Sequence, residues 1–311
     1  MINREIIRIK IVLLTYASYQ NGNKNIDSAE KELLFSLSKA YDLYNYLLAL
    51  MVAVAKEAKR RLEIAESKAR REGTKPPSTR FAYNRFTLQL ESNRQLSDFI
   101  SNQKYTWADS QEFVSKLYDL IEQTEIYKEY MSNPKDDYAT DRELWRKIYR
   151  MLIQDNSDLD ELFEEQSLYW NDDKEIVDTF VLKTIKRFDE QNGPRQELLP
   201  EYDNEEDKDY ARKLFRASIL NGDEYQRFMS EASRNWDFSR LAYMDVIIMQ
   251  IAIAELMTFP SIPVSVTINE FVDIAKLYST PKSGGYINGM LDTIARHLIK
   301  TGRLMKRMEE K

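Results

Sequence analysis

The chain reads Phe238-Ser239-Arg240-Leu241-Ala242-Tyr243-Met244-Asp245 and continues Val246-Ile247-Ile248-Met249-Gln250-Ile251-Ala252-Ile253-Ala254-Glu255-Leu256. Apolar residues in this second run cover most of a helix circumference, so the segment is expected to be a central helix, buried nearly all round. Pro260 and Pro263 fix a short connection and prevent one long helix. Beyond them, Phe271, Ile274, Ala275 and Tyr278 recur at intervals of three and four, which marks a second helix with one apolar face. Thr280-Pro281-Lys282-Ser283-Gly284-Gly285 makes a turn. A third helix then starts at Tyr286-Ile287-Asn288-Gly289-Met290-Leu291-Asp292.

Outward from this core the pattern stays helical. Residues 2–20 predict an amphipathic helix with Ile6, Ile9, Leu13, Tyr16 and Ala17 on one face and Arg4, Glu5, Arg8 and Lys10 away from its centre. Residues 28–72 predict one long helix capped by Asp27 or Ser28. Its second half turns basic, with Lys56, Lys59, Arg60, Arg61, Lys68, Arg70 and Arg71 against Glu57, Glu63 and Glu66. Further helices are expected at 85–101, 108–132, 140–154, 157–170 and 172–190. Residues 191–209, with Gly193-Pro194, Pro200 and an acidic run, are expected to be a linker. At an offset of 66 positions, Arg146-Lys147-Ile148-Tyr149-Arg150 matches Arg212-Lys213-Leu214-Phe215-Arg216, Leu162 matches Phe228, Ser167 matches Ser233, and Trp170 matches Trp236. Two readings stand: a duplicated helical unit at 140–190, or two amphipathic helices that agree by chance.

The 311 residues are 43% hydrophobic and 31% charged, with 8 Gly and 8 Pro, which points to an ordered, all-α protein with few turns. The chain has no cysteine and a single histidine, His297, which excludes a disulfide framework, a thiol nucleophile, a zinc–thiolate site and a multi-histidine metal site. No phosphate-binding glycine loop, nucleophile elbow or zinc-protease helix is present, so neither an enzyme nor a cofactor is expected. The first residues, Met1-Ile2-Asn3-Arg4-Glu5, do not read as a signal peptide, and no apolar run approaches the roughly 20 residues that span a bilayer, so a cytoplasmic protein with no membrane partner is expected. The net charge of −6 argues against coating nucleic acid along the whole length but leaves room for a local basic patch.

Such a patch would combine Arg4, Arg8 and Lys10 with Lys282, Ser283 and the start of the last helix. Its free N–H groups attract phosphate, and Tyr286 could stack on an unpaired base. The same residues also fit an ordinary solvated face and a core tyrosine.

Residues 238–298 resemble the C-terminal half of the NusB family of transcription antitermination factors. The resemblance rests on an acidic residue before an apolar helix ending Ala254-Glu255-Leu256, then Ile262-Pro263, Val266-Thr267-Ile268-Asn269-Glu270, Ala275-Lys276 and Tyr286-Ile287-Asn288-Gly289-Met290-Leu291-Asp292. Arg8 and Tyr16 match an arginine and tyrosine of the family's first helix, and residues 210–237 fit its middle helix. The resemblance covers about 1–20 and 210–300; the long form is similar to chains of the Bacteroidetes group.

The resemblance implies a domain plan of a first helix at 1–20, a helical insertion at 21–190, an acidic linker at 191–209 and a NusB-like C-terminal helical domain at 210–311. It implies binding of boxA-type RNA in ribosomal leader transcripts together with NusE, a small-subunit ribosomal protein, within the transcription elongation complex. The RNA surface would map onto Arg4, Arg8, Lys10, Lys282, Ser283 and Tyr286, and the NusE contact onto Asp245. Asn288 and Gly289 either cap and pack the last helix or touch RNA, and the basic stretch 56–71 either adds phosphate contacts or is a solvated face. The methyltransferases that carry NusB-like domains need a nucleophilic cysteine, which this chain lacks. A helical interaction scaffold in ribosomal RNA biogenesis, working through residues 21–209, is the remaining alternative.

Overall fold

A computed structural model describes residues 1–22, 25–232 and 242–306. Ser233, Trp236 and Phe238 to Leu241 lie outside these. Among the described residues the fold is all-α: fourteen α-helices, short 3-10 and π turns, and a single isolated bridge between Ile2 and Tyr202. By contacts the chain divides into two compact units, one of residues 2–37 with 202–311, the other of Met1 with 38–201.

The first unit is built on the stretch quoted above. It holds α1 (Arg4–Gln20), the opening turns of α2 (Ile26–Glu72), α10 (Glu205–Leu220), α11 (Gly222–Ala232), α12 (Tyr243–Thr258), α13 (Val264–Tyr278) and α14 (Ser283–Lys300). Helix α12 is buried from Asp245 to Leu256 without a break, Gln250 and Glu255 included. Helices α1, α10, α11, α13 and α14 all pack on it, which is why a helix with almost no polar face is stable here.

Helix α1 departs from the one-sided amphipathic reading. Residues Ile6 to Val12 are buried all round, Arg8 and Lys10 included, because α10, α12 and α13 each cover part of it. Ala17, expected on the apolar face, is exposed.

The second unit holds the rest of α2 with α3 (Arg85–Glu91), α4 (Arg94–Ser101), α5 (Gln111–Gln123), α6 (Glu125–Ser132), α7 (Tyr138–Ile148), α8 (Ser157–Gln166) and α9 (Trp170–Arg187). The long helix is present as expected, but Asn25 rather than Asp27 or Ser28 caps it, its Oδ1 accepting from the backbone N–H groups of Asp27 and Ser28 at 3.1 and 3.0 Å. The expected helix at 85–101 is two, because Asn93 caps α4 by accepting from the N–H of Leu96. The expected helix at 108–132 is broken at Thr124 in the same way, its hydroxyl accepting from Tyr127.

The start of the expected linker is also packed. Gln196, Leu198 and Leu199 are buried, and the Leu199 N–H donates to the Tyr44 hydroxyl at 3.1 Å. The unit boundary therefore falls at 201/202 and, at the other end, within α2 at 37/38.

The 66-residue offset is visible in the helices. Helices α7 and α8 pack on α9 as α10 and α11 pack on α12. Ile148 and Leu214, Tyr149 and Phe215, and Phe163 and Met229 are buried in both members of each pair.

Candidate nucleic-acid interface

The expected surface residues do not all lie together, and several are not on the surface. Arg8 is 4% exposed. Its Nε donates to Glu255 Oε2 at 2.7 Å, one Nη to Glu255 Oε1 at 3.2 Å and the other to Glu270 Oε2 at 2.9 Å. Glu255 is fully buried and also accepts from the Thr267 hydroxyl at 2.7 Å and from the Tyr210 hydroxyl. A carboxylate in the middle of an apolar helix needs such partners. The charges around Arg8 hold it cationic, raising its pKa against the desolvation that would lower it. Burial and the Glu255 charge push the Tyr210 hydroxyl far above its ordinary range. This guanidinium ties α1 to α12 and α13; it does not face solvent as the sequence reading expected. Lys10 is buried too, at 2% exposure. Arg4 is partly exposed, lies over the Tyr210 ring and pairs with Asp207 at 3.3 Å.

Asp245 and Ser283, expected at a partner contact and an RNA contact, are turned inward. Asp245 Oδ1 accepts from the Ser279 hydroxyl at 2.5 Å and its Oδ2 from the Ser283 hydroxyl at 2.9 Å. The Ser283 oxygen also accepts the Thr280 N–H at 3.2 Å. Together these bonds fix the corner between α13 and α14. They also set a carboxylate at the start of α14, where it meets the positive end of the helix dipole that a phosphate would otherwise use. Gly284 permits the corner: a Cβ there would stand 3.2 Å from the Lys276 side chain. Lys282 remains exposed and Tyr286 half-exposed, with burial and the Asp245 charge raising the Tyr286 pKa. Asn288 and Gly289 neither cap nor pack: both are exposed in α14, with nothing within 4 Å of a Cβ at Gly289.

Helix α1 runs antiparallel to α12. Its Arg8 end meets Glu255, while its Tyr19 hydroxyl accepts from Gln250 Nε2 at 2.9 Å. The rings of Tyr16 and Tyr19 lie 5.7 and 6.5 Å from that of Tyr243, the first residue of α12. Arg4 and Arg8 therefore sit at one end of α12 and the Lys282–Tyr286 corner at the other, about 15 Å apart along ten residues of helix. What joins that corner at its own end is aromatic: Tyr16 and Tyr19 are half-exposed and Tyr243 is 44% exposed. The sequence reading used Tyr16 but passed over Tyr19 and Tyr243. The signal for Tyr19 was its place one turn beyond Tyr16.

Fold and site define a class: an all-α protein whose C-terminal unit packs five helices around one buried helix and presents tyrosines and a lysine at one end. The NusB family model matches residues 179–296. The transcription antitermination protein NusB of Salinibacter ruber is 32% identical over 132 residues, which cover 40% of this chain and 82% of that protein. That of Geotalea daltonii is 34% identical over 134 residues, covering 43% and 89%. Among solved structures, T. maritima NusB is 32% identical and covers 38% of this chain and 82% of its own, with a TM-score of 0.29. The chain belongs to the NusB family. The family model takes in the second half of α9, α10 to α13 and most of α14, so all of α1 to α8 lie outside it. No helix among the described residues is long and apolar enough to cross a membrane.

Proposed function

We propose that this protein is a transcription antitermination factor that binds boxA-type RNA of ribosomal leader transcripts together with NusE, without catalysis, in the transcription elongation complex. The observation that carries this reading is the end of α12 at which Tyr16, Tyr19 and Tyr243 cluster beside the Lys282–Tyr286 corner, in a chain of the NusB family. Half-exposed tyrosines offer faces for unpaired bases, and Lys282 offers a charge for a phosphate.

In this reading Lys282 and Tyr286 touch RNA, and Tyr16, Tyr19 and Tyr243 extend the surface. Arg8 and Lys10 act from inside, holding α1 in place, and Arg4 lies at the far end of α12, suited to a phosphate further along the RNA. Ser283 and Asp245 shape the α13–α14 corner, and NusE docks on the corner they shape. The acidic balance of the chain fits a short, local RNA contact over a long electrostatic track.

The test is fluorescence anisotropy with a labelled boxA oligonucleotide, with and without NusE, over a salt series. Lys282→Ala is expected to lower the salt slope by about one phosphate contact. Tyr243→Ala and Tyr286→Ala are expected to weaken binding by about 1–3 kcal/mol each. Unchanged affinity in all three variants, with the protein folded, would remove this surface.

A further inference from the structure

The second unit carries a groove that the RNA reading does not use. It is a cavity of about 520 Å³ between α2, α4 and the segment around Trp107, with Ala49, Val52 and Ala53 of α2 facing Phe99, Ile100 and Trp107. A smaller cavity of about 200 Å³ shares Val52, Lys56 and Ile100 with it, so the furrow continues across α2 and α4. Three observations say what it fits.

The walls are aliphatic apart from Phe99 and the Tyr46, Tyr105 and Trp107 rings, and Trp107, the largest of them, is covered by its neighbours. Trp107 is stacked on one side by Tyr46, with ring centroids 4.4 Å apart, and makes a second parallel stack with Phe113 at 5.8 Å. Its Nε1 donates to the Tyr46 carbonyl at 2.8 Å and is therefore also engaged. A base that needs an open aromatic face finds none on it; apolar side chains find a ready cavity.

The rim is cationic. Lys56 and Arg60 are 62% and 58% exposed, one helical turn apart on α2. Lys104 stands over the Tyr105 ring at 5.1 Å, and Tyr105 is itself 58% exposed.

Three carboxylates near the rim, one buried and two at the surface, already have partners. Glu57 is fully covered and accepts from Arg60, Arg61, Gln111 and Ser115. Glu91 accepts from Lys59 at 2.6 Å, leaving Lys56 at 3.8 Å. Asp109 accepts from the Thr106 backbone at 2.8 Å.

From this charge complementarity we propose that the α2–α4 groove docks a protein partner through an acidic amphipathic segment, apolar side chains in the furrow and carboxylates against Lys56, Arg60 and Lys104. The mode is that of an amphipathic helix laid in an apolar groove. The site is independent of the RNA surface, so either can fail without the other.

The test selects a displayed library of random peptides of roughly 16 residues, four to five helical turns, on the full-length protein, and then measures enriched peptides by anisotropy. Enriched sequences are expected to carry Leu, Ile, Phe or Trp three and four positions apart and a net negative charge. Ala53→Arg, which fills the furrow, and Ile100→Glu are expected to weaken them about tenfold or more, the loss of one well-packed anchor. Lys56→Glu, an exposed change that leaves the fold intact, is expected to weaken them severalfold and to erase the preference for acidic over charge-reversed peptides. Near-UV circular dichroism checks that each variant is folded. The proposal is overturned if no peptide separates the wild type from Ile100→Glu and Lys56→Glu, or if the enriched peptides are cationic. It is also overturned if a short single-stranded RNA displaces them at equal affinity, which would make the groove a nucleic-acid site.

Discussion

Replacing Arg8 with alanine tests whether this arginine is a structural clamp or an RNA contact. The side chain makes three hydrogen bonds to two carboxylates, at 2.7, 3.2 and 2.9 Å, from a site 4% exposed. Its removal leaves Glu255, fully buried, hydrogen-bonded to the neutral donors of Thr267 and Tyr210, with Lys306 the remaining cation that interacts with it among the described residues. Breaking a buried pair from one side costs about 3–5 kcal/mol, because the surviving charge stays desolvated. Glu270, half-exposed, recovers water and adds little to that cost. At about 2–4 °C per kcal/mol for units of roughly 150–250 residues, the melting temperature should fall by about 6–20 °C.

The double variant Arg8→Ala/Glu255→Gln removes the stranded charge as well and should recover part of the loss. Thermal melts by circular dichroism on the three proteins measure this. An Arg8→Ala protein that melts within a degree or two of wild type, yet has lost boxA affinity, would refute the clamp and return Arg8 to the RNA surface. The sequence reading expected that second result, with Arg8→Ala and Lys10→Ala lowering affinity without unfolding. The burial of both side chains is the reason the expectation is reversed.

Other substitutions separate close packing from open surface. Gly222→Ala is expected to destabilise by about 1–3 kcal/mol despite the better helix former, because its Cβ would lie 2.9 Å from Gln250 Nε2 and 3.2 Å from the Tyr19 hydroxyl. Gly289→Ala, with open space around it, is expected to stabilise by about 0.5–1 kcal/mol; chemical denaturation measures both. Arg60 and the other donors hold Glu57 down to about 2 against a desolvation that raises it. Its stabilisation is therefore full above its ordinary 4.5 and lost as pH falls toward 2, and Glu57→Gln should remove that acid limb from a pH series of melts. Burial raises Asp178 to about 6, so the folded chain keeps a proton that the unfolded chain releases near 3.8. This group makes stability fall as pH rises between those values, and carbon-13 NMR of its carboxyl should show the midpoint near 6.

The helices were legible because periodicity reports burial directly. A run such as Val246 to Leu256, apolar on every side, can only be central, and it is. Breaks made by a capping side chain were not legible. Asn93 and Thr124 each start a new helix by accepting one backbone N–H, and neither residue type is rare inside helices. The site was harder still. A cation at the edge of an apolar face reads as solvated until its partner is known, and Glu255 is 247 positions from Arg8. The one local clue was on the other side of the pair: a carboxylate in the middle of an apolar helix implies a buried cation somewhere.

The same kind of long-range pairing bears on the 66-residue offset. Chance agreement of amphipathic helices would reproduce apolar positions but not specific polar ones. Thr184 and Gln250 are equivalent at this offset, both buried in the central helix of their unit, and each is hydrogen-bonded to a tyrosine hydroxyl from a helix earlier in the chain. Tyr44 of α2 reaches Thr184 at 2.7 Å and Tyr19 of α1 reaches Gln250 at 2.9 Å. Asp141 and Asp207 are equivalent too, both buried near the start of their helices. Asp141 accepts from the backbone of Arg85, the first residue of α3, and Asp207 pairs with Arg4, the first residue of α1. The two comparisons do not agree on the partner helix: the first sets α2 against α1, the second α3 against α1, and one donor is a backbone N–H where the other is a guanidinium, so both readings of the offset stand. The second unit does not repeat the Arg8–Glu255 clamp: the position 66 before Glu255 is Asp189, beyond the end of α9 at Arg187. That unit also lacks counterparts of α13 and α14, the helices whose corner carries Lys282 and Tyr286, and its own exposed features are those of the α2–α4 groove.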